Sequence, residues 1–144
     1  MCGWIHFLID SEPMSQQPVP LILFVDDDTP VRELCAMMLT SAGYDVVTAK
    51  DAADAIRLCH TTSQPIDLLV TDIKMPGLSG IELVENLMGA GLIHRALLIS
   101  GYIEESDRRR VGGQIQFLQK PFTSDALLNS VKALLAPDAR HDAA

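Results

Sequence analysis

Apolar residues in this chain fall into two rhythms, short unbroken runs and helical stripes, and the two alternate along its length. Leu21 to Val25 is a run of five apolar residues that ends in Asp26-Asp27-Asp28. Such a run predicts a strand buried on both faces. Thr29 then suits a helix N-cap and Pro30 the first helical position. Val31, Leu34, Cys35, Met38, Leu39 and Ala42 follow at helical spacing as a predicted inner stripe, and Gly43 supplies the stop. A second strand is expected from Asp45 to Ala49, then a helix with Ala52, Ala55, Ile56 and Cys59 inward. Pro65 closes that connection ahead of a central run, Leu68 to Val70, with Asp72 where the run ends. Met75-Pro76-Gly77 is a tight change of direction. Beyond it, Ile81, Val84, Leu87 and Met88 form a third stripe, closed by Gly89 and Gly91.

Ala96 to Ile99 reads as a fourth strand ending at Ser100-Gly101. From Glu104 to Gly113 only Val111 is apolar, so a fourth helix there is expected to be short or irregular. Phe117 and Leu118 lie in a fifth strand that ends at Lys120-Pro121, and Thr123 caps a last helix with Leu127, Leu128, Val131, Leu134 and Leu135 inward. Strands alternating with helices in this way predict a doubly wound α/β domain, a five-stranded parallel sheet with helices on both faces. The expected organisation is a flexible extension over residues 1–20, the domain over 21–135 and a polar tail over 136–144. Met14 is a candidate start of translation, which the N-terminal peptide mass of the natively expressed protein decides.

Composition narrows the function. The net charge of −8 argues against a nucleic-acid partner, since phosphate neutralisation needs a clustered basic face. The basic run Arg108-Arg109-Arg110 follows Glu104, Glu105 and Asp107 and reads as a charge-mixed, solvated surface. Cys2, Cys35 and Cys59 have neither metal nor redox spacing; Cys35 and Cys59 fall on apolar stripes, and a reducing, cytoplasmic setting fits. Trp4, Ile5, Phe7, Leu8 and Ile9 lack a basic flank and a cleavage site and are too few to span a bilayer, so no membrane role is expected. His6, His60, His94 and His141 show no ligand spacing and read as surface residues.

The candidate chemistry sits at strand ends. In a doubly wound sheet the first, third, fourth and fifth strands can lie side by side, so Asp26, Asp27, Asp72, Ser100 and Lys120 can converge at the carboxyl edge, where open α/β sheets bind ligands. Three carboxylates in one patch call for a cation, and an oxygen-only, hydrated set suits Mg²⁺. Alone, each residue has a bland explanation: Asp72 as a turn former, Asp26 to Asp28 as a helix start, Lys120 as a surface lysine, Ser100 as a turn residue and Phe117 as a core aromatic. Their common position at one sheet edge is what favours chemistry.

Four motifs in order, Phe24-Val-Asp-Asp-Asp, Asp72-Ile-Lys-Met-Pro-Gly with Gly80 following, Ser100-Gly-Tyr and Phe117-Leu-Gln-Lys-Pro-Phe, resemble those of the receiver domains of two-component response regulators. The resemblance covers residues 21–135 and implies a flavodoxin-like sheet with strand order 2-1-3-4-5. It implies that Asp72 accepts a phosphoryl group from a phosphohistidine on a sensor histidine kinase or histidine phosphotransfer protein. Asp27, Asp72 and the backbone carbonyl of Lys74 would hold Mg²⁺ directly, with Asp26 acting through water. Lys120 and Ser100 would contact the phosphoryl group, Phe117 would occupy the place of an aromatic that turns inward on activation, and Lys120-Pro121 would be cis. The protein would then be a signalling phosphoacceptor rather than an enzyme, switching a surface that binds an unknown downstream protein.

The sequence departs from the family where Arg108-Arg109-Arg110-Val111-Gly112-Gly113 replaces a well-formed fourth helix and its Ala-Leu and Gly-Ala pattern. Only Ala136 to Ala144 follows the last helix, which leads us to expect a single-domain regulator. Lys74 and Tyr102 stand where they could shield an acyl phosphate from water. Two other readings remain: a pseudo-receiver that binds partners without phosphate, and a small phosphatase of the haloacid-dehalogenase type, which also uses an Asp nucleophile with Mg²⁺. The second predicts turnover abolished by Asp26→Asn but not by Asp72→Asn.

Overall fold

Five short strands with continuous or alternating apolar content line up in parallel, in the order β2-β1-β3-β4-β5, in a computed structural model that describes residues 18–110 and 114–136. They are β1 (Leu21–Val25), β2 (Asp45–Ala49), β3 (Leu68–Asp72), β4 (Ala96–Ser100) and β5 (Ile115–Gln119). The helices are α1 (Thr29–Ser41), α2 (Ala52–Thr61), α3 (Gly80–Gly89), α4 (Glu105–Arg110) and α5 (Ser124–Leu135). This is the doubly wound, flavodoxin-like arrangement. Most of the expected N-terminal extension, with Met14, Cys2 and His6, lies outside the described residues, as do Val111 to Gly113 and His141 in the tail.

The two faces of the sheet explain why the central runs are unbroken. Leu21, Leu23, Val25, Leu69, Ala96 and Leu98 bury against α2 and α3, while Ile22, Phe24, Leu68, Val70, Leu97 and Ile99 bury against α1 and α5. Strand side chains alternate between faces, so a strand covered on both sides must be apolar at every position. The edge strands β2 and β5 are only partly covered and carry exposed residues such as Asp45 and Gln119.

Two local expectations are corrected. The N-cap of α1 is Asp28, not Thr29: the Asp28 carboxylate accepts from the Val31 N–H at 3.3 Å, and Thr29 is the first helical residue. The Thr29 hydroxyl instead accepts from Arg32. Leu34 and Ala42 do not face inward. Leu34 is 55% exposed, and only Cys35 and Leu39 of α1 are fully buried. One helix on a flat sheet covers a narrower arc than its apolar stripe, so the margin of the stripe faces solvent. In α3 the burial is wider than expected and takes in Leu83. Thr123 caps α5 by accepting from the Ala126 N–H at 3.0 Å. Helix α4 is short, six residues. His60 and His94 are exposed, and no helix among the described residues is long and apolar enough to cross a membrane.

Candidate functional site

Strand register brings the acidic residues together. Val25 of β1 lies beside Thr71 of β3, so the next residue of each strand, Asp26 and Asp72, emerges side by side at the carboxyl edge. Asp27 follows in the loop. One carboxylate oxygen from each of Asp26, Asp27 and Asp72 lies within 4.8 Å of the other two. Their environments differ: Asp26 is buried at 3% exposure, Asp72 is half-buried and Asp27 is exposed. A hard divalent cation fits this donor set, because oxygen ligands of like charge in a shared, solvent-open cluster are what Mg²⁺ takes from proteins.

The fifth strand supplies the balancing charge. Ser100 pairs with Gln119, and the Lys120 N–H that follows donates to the Ser100 carbonyl at 2.8 Å. That tie delivers the Lys120 ammonium to Asp72 Oδ2 at 3.3 Å. The bond from Lys120 to Pro121 is cis. Three carboxylates face one ammonium, so the cluster keeps a negative excess. Burial pushes the Asp26 carboxyl above its ordinary range; the Asp28 N–H, donating to Oδ1 at 2.9 Å, opposes that, and the neighbouring Asp72 charge reinforces it. Burial also pushes the Cys35 thiol behind the site up to about 11, with the Asp26 charge adding to it, which keeps Cys35 a protonated core residue.

Backbone packing sets the position of Asp72. The Ile73 N–H donates to the Ile99 carbonyl at 2.9 Å, and the Gly80 N–H donates to the Ile73 carbonyl at 2.7 Å, folding the β3–α3 loop back on the strand end. A Cβ on Gly80 would run into the Asp72 carbonyl oxygen, so this close approach requires glycine. Gly77 turns the loop with a φ of +79°. Ser79 and Glu82 then start α3 with a reciprocal capping box.

The other expected residues are placed as follows. Ser100 is buried, and its hydroxyl donates to the Tyr102 carbonyl at 2.9 Å while accepting from the Tyr102 N–H. Lys74 is exposed in the loop beyond β3, and the Tyr102 side chain is 66% exposed. Phe117 is half-buried in register with Leu98, on the α2 and α3 side of the sheet, with the Arg108 guanidinium 5.1 Å from its ring centre. Sequence reasoning missed Arg32, whose Nη1 donates to the Asp26 carbonyl at 2.7 Å. The signal was present, since a residue four positions past the Asp28 cap lies one turn above the acidic loop.

Known proteins share this fold. The family model described as the response regulator receiver domain matches residues 22–132. The CAI-1 autoinducer sensor kinase/phosphatase CqsS of Vibrio cholerae is 31% identical over 137 residues, covering 86% of this chain and 20% of that protein. The response regulator MprA of Mycobacterium tuberculosis is 36% identical over 125 residues, covering 85% of this chain and 54% of that protein. The chain thus spans about a fifth to a half of the length of these curated relatives. The solved chemotaxis protein CheY4 of Vibrio cholerae superposes with a TM-score of 0.74 at 26% identity, covering 82% of this chain and all of that one. With a family model running through all five strands and a shared fold beneath it, the chain belongs to the response regulator receiver domain family.

Proposed function

We propose that this domain is the phosphoacceptor of a two-component phosphorelay and that Asp72 is the residue that takes the phosphoryl group. The observation that carries the reading is the convergence of Asp26, Asp27 and Asp72 with the Lys120 ammonium on Asp72. An Asp72 oxygen attacks phosphorus as the phosphorus–nitrogen bond of a phosphohistidine breaks, and the departing imidazole keeps the bonding electron pair. The product is an acyl phosphate on Asp72. Lys120 stands ready to neutralise charge on the phosphoryl oxygens, and Ser100 has a hydroxyl that can exchange its bond to the Tyr102 carbonyl for one to the new group. Asp26, Asp27 and Asp72 would hold Mg²⁺, with the Lys74 carbonyl as a further oxygen; when bound, the ion supplies positive charge to the transferring phosphoryl group.

The phosphodonor is a sensor histidine kinase or a histidine phosphotransfer protein. An apolar groove beside Lys120, lined by Val31, Leu34, Met38 and Phe122, borders the site and suits the flank of such a partner. Transfer to Asp72 biases a surface that a downstream protein reads, with Ser100 and Phe117 as the moving parts. The free, buried Cys35 and Cys59 support a reducing, cytoplasmic setting. Family membership speaks against the small phosphatase. The pseudo-receiver draws support from α4, which has no apolar side chain with which to form an ordinary output face.

The intact mass after incubation with acetyl phosphate and Mg²⁺ tests the reading. One added phosphoryl group, absent in Asp72→Asn and in a chelator control, is the expected result. No gain with any phosphodonor, together with partner binding indifferent to Asp72→Asn, would establish the pseudo-receiver instead.

A further inference from the structure

Two of the three converging carboxylates, Asp26 and Asp27, sit at the turn between β1 and α1, where their repulsion from Asp72 acts to push the turn open. Three hydrogen bonds oppose this. The Asp26 N–H donates to the Ala49 carbonyl at 3.1 Å, the Asp28 N–H to Asp26 Oδ1 at 2.9 Å, and Arg32 Nη1 to the Asp26 carbonyl at 2.7 Å. Arg32 also uses Nη2, which donates to the Thr29 hydroxyl at 3.2 Å. Its planar fork therefore spans the end of β1 and the first turn of α1, and both of these bonds end on neutral oxygens. A cation placed only to offset the acidic charge would be expected on the carboxylates themselves.

We propose that Arg32 is a positioning residue of the metal site, bracing the Asp26 carbonyl so that Asp26 and Asp27 stay directed at Asp72 against their mutual repulsion. The proposal rests on the reading of the acidic cluster as a Mg²⁺ site. Charge and position make opposite predictions here. Removing a positive charge from beside a cation site tightens cation binding if charge is all that matters. Removing a brace weakens it, because the ligands must be gathered again each time the ion binds.

Isothermal titration of MgCl₂ into the metal-free protein decides between them. Arg32→Gln should bind Mg²⁺ at least about three-fold more weakly than the wild type, a loss at the low end of the net contribution of a single hydrogen bond. Arg32→Lys, which keeps the charge without the fork, should fall between the two. Leu39→Val, which loosens the core under α1 away from the turn, should keep wild-type affinity and so separates bracing from general destabilisation. Arg32→Gln binding as tightly as the wild type, or more tightly, overturns the proposal, as does an equal loss in Leu39→Val. A wild-type protein that binds no Mg²⁺ overturns the metal-site reading itself, and the brace with it.

Discussion

Asp26 concentrates the tension of the site in one side chain, since it is buried, acidic and beside a second carboxylate. Its folded-state pKa is raised above the ordinary value of 3.8, so between the two values the folded chain binds more protons than the unfolded one. The stability this group contributes is complete below 3.8 and is lost as pH rises through the raised folded value. Asp26→Asn keeps an oxygen for the Asp28 N–H and removes the charge. It should stabilise the metal-free protein at neutral pH by about 1–2 kcal/mol in urea unfolding, with the gain shrinking as pH falls toward 4, and it should weaken Mg²⁺ binding. The sequence marked Asp26 by its place at the end of an apolar run. Asp28 was legible as helix-start chemistry, and it caps α1. What the sequence hid was the inequality of the other two, since nothing in Asp26-Asp27-Asp28 says that the first is buried and the second exposed.

Helices α3 and α4 cover the same side of the sheet by different means. Helix α3 buries Ile81, Leu83, Val84 and Leu87 and begins in a capping box, so packing and local hydrogen bonds agree. Helix α4 is Glu-Ser-Asp-Arg-Arg-Arg, with acidic residues in its first turn and basic ones in its last, which suits the helix dipole but offers nothing apolar to bury. Six residues without packing are far below the length at which a helix holds itself in water. The Arg108 contact with the Phe117 ring is one attachment of α4 to the sheet, and such a contact at an exposed site contributes only about 0.5–1 kcal/mol. Amides of α4 should exchange with deuterium before those of any other helix, and Arg108→Ala should speed them further while leaving α3 and α5 unchanged. This weakness was legible in advance, because a missing stripe is as local a property as a present one. The exposure of Leu34 was not, since a stripe shows which side of a helix is apolar and not how much of it the sheet covers.

For the whole molecule, the acidic edge is a local cost that a bound cation would offset. A ligand held by the folded state alone raises stability by an amount set by its concentration over its dissociation constant, about 2.7 kcal/mol at a hundred-fold excess. Mg²⁺ should accordingly raise the unfolding temperature in a concentration-dependent way in the wild type, and much less in Asp72→Asn, which can be followed by calorimetry. The sequence by itself determined the order of elements, the two faces of the sheet and the strand ends on which Asp26, Asp27, Asp72, Ser100 and Lys120 stand. Those follow from apolar periodicity and turn residues, which act over a few positions along the chain. Only the tertiary structure decided that Lys120 reaches Asp72, that the Ser100 hydroxyl is engaged by Tyr102, that Arg108 covers Phe117 and that the Arg32 guanidinium donates to the Asp26 carbonyl. Hydrogen bonds and ion pairs form or fail over fractions of an ångström, and where segments as far apart as residues 72 and 120 meet, that separation is set by the packing of the sheet and its helices.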